Sequence, residues 1–130
     1  MTNQPEAAIR LTIPASSAYL SLARAATSAV CARMDFSIEQ IEDTTLAVNE
    51  AASLLLVDAQ PDSELQINWQ SSASDLLVEL VSHSSSGRPP RRTTFAWTVL
   101  SALVDDVDAV LAADRIRLSL TVHPTGALAQ

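Results

Sequence analysis

Lysine is absent: all eight basic residues are arginines. A phosphate-gripping P-loop lysine and a Schiff-base lysine are thereby excluded, and two large groups of enzymes with them. Cysteine occurs once, as Cys31, and histidine twice. An intramolecular disulfide is impossible, these residues alone cannot assemble a structural zinc site, and a reducing compartment suits such a chain. Long apolar runs are missing too. A stretch such as residues 54–57 is far too short to span a bilayer, and the N-terminal MTNQPEAAIR has no basic segment followed by an apolar one. The expectation is a soluble, unexported, cytoplasmic protein with no membrane contact. Positive charge is also short: 15 acidic residues against 8 basic ones leave a net charge of −7. That balance speaks against a nucleic-acid backbone as partner and for a basic protein surface.

A length of 130 residues with 48% apolar composition is one domain's worth by the usual range of roughly 100–200 residues per domain, enough to bury a core. Residues 1–130 are therefore read as a single unit with loose ends at 1–7 and 124–130. Ile9, Leu11 and Ile13 alternate with polar or small residues, a first strand stopped by Pro14. Tyr19, Leu22, Ala23, Ala26, Ala29 and Val30 recur at helical spacing after a Ser16 or Ser17 cap. Ser37 followed by Gln40, with Phe36 and Ile41 flanking them, forms a capping box and hydrophobic staple and starts a second helix. The stripe expected of that helix is Ile38, Ile41, Thr45, Val48, Ala52 and Leu55.

Residues 65–69 and 76–81 read as an antiparallel hairpin whose second strand is interior. HSSSGRPPRR, residues 83–92, is a loop by composition and the one basic cluster. Thr93 or Thr94 caps a third helix with Phe95, Val99, Ala102 and Leu103 on its stripe, and two more strands follow near 107–111 and 116–122. The order β-α-α-β-β-α-β-β predicts an α+β fold, a two-layer α/β sandwich with a mixed, mostly antiparallel sheet and helices on one face. No internal repeat is present.

No Gly-x-Ser-x-Gly elbow surrounds any serine, and His83 and His123 read as surface histidines. The acidic residues Glu39, Glu42 and Asp43 suit the positive end of a helix dipole better than a catalytic pair. Cys31, with no neighbouring His or Cys to acidify it, reads as a packing thiol.

The stretch 9–57 resembles the N-terminal half of the RsbW-type anti-sigma factors, serine-kinase-like members of the GHKL ATPase superfamily with the Bergerat fold. DFSIEQIEDTTLAVNEA is similar to the family's second helix and FAWTVLSALVDDVD to its third. The latter resembles a divergent actinobacterial branch, and the lack of lysine fits a GC-rich coding bias. This resemblance implies an anti-sigma factor that sequesters an alternative sigma factor of the stress or sporulation type. It also implies release by a STAS-class anti-anti-sigma partner, and a homodimer built with the exposed first strand. The competing implication is an active ATP-dependent serine kinase acting on the anti-anti-sigma partner.

Departures from the family pattern favour the binding role. Active members carry Glu-x-x-x-Asn on the second helix, the Glu as base and the Asn as Mg²⁺ ligand; here Glu50 matches but Leu54 stands in the Asn position. A hard cation needs oxygen donors that leucine lacks. The adenine-reading Asp-x-Gly-x-Gly is replaced by His83, Ser84, Ser85, Ser86 and Gly87, and the Gly-rich start of the third helix by Thr94, Phe95 and Ala96. The resemblance therefore implies a retired ATP site at Leu54, His83, Ser85, Gly87, Thr94 and Ala96, no retained cofactor or metal, and a vestigial Glu50. Arg91 and Arg92 could still hold an anion by charge. Arg24, 26 positions before Glu50, matches the family's arginine that contacts both partners.

Overall fold

Alternation along three segments, short apolar runs along two more and helical spacing along three others resolve, in a computed structural model describing residues 8–124, into one sheet covered by helices on one side. The expected loose ends lie outside the described residues, except for Pro124. The elements are β1 (Ala8–Pro14), a 3-10 turn (Ser17–Tyr19), α1 (Leu20–Cys31), α2 (Ile38–Leu56), β2 (Glu64–Ser72) and β3 (Asp75–His83). They continue with α3 (Phe95–Leu103), β4 (Asp106–Ala112) and β5 (Arg115–Val122). Strand order is β1-β2-β3-β5-β4. Every pairing is antiparallel, where the sequence suggested a mixed sheet. The expected interior strand β3 does lie at the centre.

Caps fall where the sequence places them. The Ser37 hydroxyl accepts from the Gln40 amide at 3.1 Å and the Thr94 hydroxyl from the Trp97 amide at 3.2 Å, each satisfying a donor that has no partner inside its helix. Helix faces are partly shifted from expectation. In α1 the buried residues are Leu20, Ala23, Thr27 and Cys31, while Tyr19 and Leu22 are exposed; in α2 they are Thr44, Ala47, Val48, Ala51, Ala52 and Leu55. Ile38 and Phe95, expected inside, are 77% and 82% exposed. Each opens its helix, where a side chain leans back over the preceding turn and falls off the packed face. In α3 Trp97 and Leu100 are buried instead.

Thr27 explains the shift in α1. Trp69, the largest fully buried side chain, donates its indole N–H to the Thr27 hydroxyl at 3.1 Å, and that hydroxyl donates to the Ala23 carbonyl at 2.8 Å. A threonine on the apolar stripe thus satisfies a tryptophan from the middle of β2. Cys31 is buried at the end of the same stripe, and burial pushes its thiol up to about 11 against the opposing effect of the Thr44 hydroxyl. It is an inert packing group, as expected.

The uncovered sheet face is polar along one whole rung, which runs through Arg10, Asn68, Glu79, Ser119 and Asp108 in register. At one end of the sheet His123 gathers four elements: its Nδ1 lies 2.8 Å from the Asp75 carboxylate, its amide donates to Asp105 at 2.7 Å, and its carbonyl accepts from Gln40 at 2.8 Å. The Asp75 hydrogen bond, aided by the charges of Asp75 and Asp105, raises the His123 pKa above its usual value.

Two expectations follow. Thr27→Val, nearly isosteric, strands the indole N–H and should cost about 1–3 kcal/mol in a urea melt, with Thr27→Ser costing clearly less; equal losses would show that packing alone matters. Because the folded pKa of His123 is raised, its contribution to stability is complete below about pH 6.5 and fades as pH rises through the folded value. Melting temperatures of wild type and His123→Gln, compared across that window, should converge toward the alkaline side, and a constant offset would refute the pair's role.

Candidate functional site

Residues assigned by resemblance to a nucleotide site gather around the C-terminal half of α2, the end of β3 and the segment joining β3 to α3. Leu54 lies one turn beyond Glu50 and lines a cleft of about 320 Å³ with Asp58, Ser86, Arg88, Pro90, Arg91 and other neighbours. Its side chain offers no oxygen to a cation. Glu50 is half-buried, and its carboxylate has no hydrogen-bond or ion-pair partner among the described residues. No cluster of three or more His, Cys, Asp or Glu that could hold a metal occurs among the described residues.

His83 ends β3 and turns toward the β4–β5 turn, its Nδ1 3.7 Å from the Asp114 carboxylate. Gln60 braces that corner by donating to Asp114 at 2.8 Å and to the Ser84 carbonyl at 3.0 Å. The Gln60 bond, helped by the charge of His83, holds the Asp114 carboxyl below its usual range. His83 is therefore committed to a structural corner and does not stand as an adenine-reading acceptor.

The serine loop after His83 is closed on Asp58, which follows the C-cap of α2. The Asp58 carboxylate accepts from the Ser84 hydroxyl at 2.5 Å, the Ser86 hydroxyl at 2.7 Å and the Ser86 amide at 3.1 Å. These bonds lower its pKa, those from the two hydroxyls most. The Ser85 amide donates to the Asp58 carbonyl at 2.7 Å, and the Gly87 amide to the Ser84 hydroxyl at 2.9 Å. Gly87 sits at φ +69°, in the left-handed region that a glycine enters without strain. No signal of charge or motif marked Asp58; the run of three serines beside a helix end was the available clue.

Arg92 is not free to hold an anion, contrary to expectation. It bonds the Asp108 carboxylate at 2.6 Å and the Ala109 carbonyl at 3.2 Å, with its guanidinium carbon 4.9 Å from the centre of the Trp97 ring. This clamp ties the loop to edge strand β4 and keeps the Asp108 carboxyl below its usual range. Arg91 lies on the cleft as expected. Thr94 is occupied as the α3 cap, and Ala96 is half-buried on that helix; neither lines the cleft.

Arg24 stands apart from the cleft. It is exposed on α1 and reaches across to α2, donating from its guanidinium to the Asn49 side-chain carbonyl at 2.8 Å. Ser28 and Thr45 pair their hydroxyls at 3.1 Å across the same two helices. The bond to Asn49 brings Arg24 beside the residue that precedes Glu50 and orients its cation on an open helical surface.

No protein-family profile matches the chain. Anti-sigma-F factor RsbW of Mycobacterium tuberculosis, in strains CDC 1551 and H37Rv, is 29% identical over 100 residues, which cover 77% of this chain. The match spans 60% of the length of those relatives. A crystal structure of RsbU and RsbW domains of another Mycobacterium tuberculosis protein aligns with 90% of this chain at a TM-score of 0.73 and 14% identity, over 32% of its own length. Sequence and fold agree on one relationship: the chain is similar to the RsbW-type anti-sigma factors and has the GHKL-type α+β fold of their domain.

Proposed function

We propose that this chain is an anti-sigma factor that binds an alternative sigma factor of the stress or sporulation type and yields it to a STAS-class anti-anti-sigma partner. The observation that carries the reading is the similarity to anti-sigma-F factor RsbW over 100 residues. Charge supports it: a net −7 complements the Arg/Lys-rich surfaces of a sigma factor and speeds encounter. A sigma-factor partner places the chain, in this reading, in the cytoplasm.

Sequestration in this reading proceeds without ATP or Mg²⁺. Support comes from Leu54 in the metal-ligand position, His83 engaged with Asp114, and the serine loop drawn onto Asp58. Glu50 then serves no phosphotransfer. Arg24 is the contact residue: its fork, held by Asn49, can make paired hydrogen bonds to a partner carboxylate.

Calorimetry against the sigma factors of the source genome tests both points. One of them should bind at micromolar concentration or tighter, equally with and without Mg²⁺-ATP, and Arg24→Ala should weaken it by about 1–3 kcal/mol while leaving the melting temperature nearly unchanged. Absence of binding to all of them overturns the function, and binding that requires ATP overturns the retired site. Unaltered affinity of Arg24→Ala removes that residue from the interface.

The protein is further proposed to act as a homodimer. Strand β1 pairs only with β2 and forms one edge of the sheet among the described residues, with Ile9 41% exposed along it. An unpaired edge carries backbone donors and acceptors that a second copy can satisfy. Sedimentation should show a concentration-dependent dimer; a monomer at every concentration would refute it.

A further inference from the structure

The cleft at the end of α2 keeps a shape and a charge that its lost nucleotide chemistry does not explain. Its floor includes Leu54 and the buried Ile116, and Pro89 and Pro90 form a stiff wall. Two cations, Arg88 and Arg91, line it as well. Neither guanidinium makes a hydrogen bond or ion-pair contact among the described residues, in contrast to Arg92, which is spent on Asp108. Asp58 contributes the cleft's one carboxylate. The serine hydroxyls satisfy it, and Arg88 acts on it only at longer range.

Two guanidiniums against one carboxylate leave a single net positive charge, at a cleft in a chain whose total is −7. Such a site matches one negative charge and falls well short of a polyphosphate. Its volume of about 320 Å³ is at the lower end of small-molecule sites, which run from about 300 to 1,000 Å³. A guanidinium pairs a carboxylate through two parallel hydrogen bonds, and the leucine and isoleucine floor takes an apolar body.

We propose that this cleft, lined by Leu54 and Ile116 and flanked by Arg88 and Arg91, binds a small apolar monocarboxylate. The carboxylate lies against the two arginines and the hydrocarbon against the floor. This site is independent of Arg24 and of the partner reading: it can be present or absent whichever protein the chain binds.

Octanoate has the required size and charge and serves as the probe with the full chain. Octanol supplies the body without the charge, acetate the charge without the body, and Mg²⁺-ATP the nucleotide. Octanoate should bind saturably by calorimetry and raise the melting temperature, with amide shifts in NMR clustered at Leu54, Ser86 and Ile116. Octanol and acetate should bind far more weakly, and Mg²⁺-ATP should not compete. The double variant Arg88→Gln, Arg91→Gln, altered only at exposed positions, should melt like wild type without ligand and bind octanoate roughly 10- to 100-fold more weakly. Leu54→Trp, which fills the cleft without adding charge, should abolish binding. Non-saturable binding, equal binding of octanol, an unchanged affinity in the arginine variant, shifts away from the cleft, or displacement by Mg²⁺-ATP would each overturn the proposal.

Discussion

The hydrogen bond from Trp69 to Thr27 sets the terms on which the helical layer meets the sheet. A tryptophan at the middle of β2 brings much apolar surface into the core, but its N–H must find an acceptor there, because an unmatched donor in a dry interior costs about 1–3 kcal/mol. A helix lying over it has to offer an acceptor at one position, and Thr27 supplies that acceptor. That requirement fixes the rotation of α1, and the antiparallel α2 follows through the Ser28–Thr45 and Arg24–Asn49 bonds. Small residues complete the fit: Ala23, Ala47, Ala51 and Ala52 are wholly buried, which leaves room for the leucines and isoleucine of β2, β3 and β5 to rise from the sheet.

Much of this was legible because periodicity and capping are local. The Ser37–Gln40 box, the Thr94 cap, the alternation in β1, β2 and β5 and the short apolar runs of β3 and β4 depend on neighbours within a few residues, and each element lies near where these signals put it. Helix rotation is decided by contacts far along the chain. Apolar spacing picks out Leu22 and leaves Thr27 off the stripe, because the use of Thr27 is set by a tryptophan 42 positions away. The β2–β3 hairpin was legible as well, from the two strand-like runs on either side of a turn-like segment, although Ala73 and Ser74, which both adopt positive φ, lack the Asn-Gly pair that usually announces a two-residue turn.

At the candidate site the residues assigned by resemblance lie around one end of α2 and of β3, and long-range bonds decide what fills the space between them. The serines that replace an adenine-reading motif read as a loop by composition, and in the fold they are bound to the Asp58 carboxylate just past the end of α2. Of the arginines in the adjoining segment, one clamps an edge strand and two are left at the cleft. Sequence alone treats those three as equivalent. Asp108, standing in register on β4, distinguishes them, and a long-range partner of that kind leaves no mark in the local pattern.

The serine loop has the composition of a flexible linker and the bonding of secondary structure. From Ser84 to Arg88 every backbone amide has an acceptor: the Asp114 carbonyl, the Asp58 carbonyl and carboxylate, and the hydroxyls of Ser84 and Ser86. Such a segment cannot fray one residue at a time, since releasing Asp58 frees several amides at once. In native-state hydrogen exchange it should open as a cooperative unit with the end of α2, and its protection would then report on the helix more than on the loop's own length. What reads as a connector behaves as the last turn of α2 continued by other means.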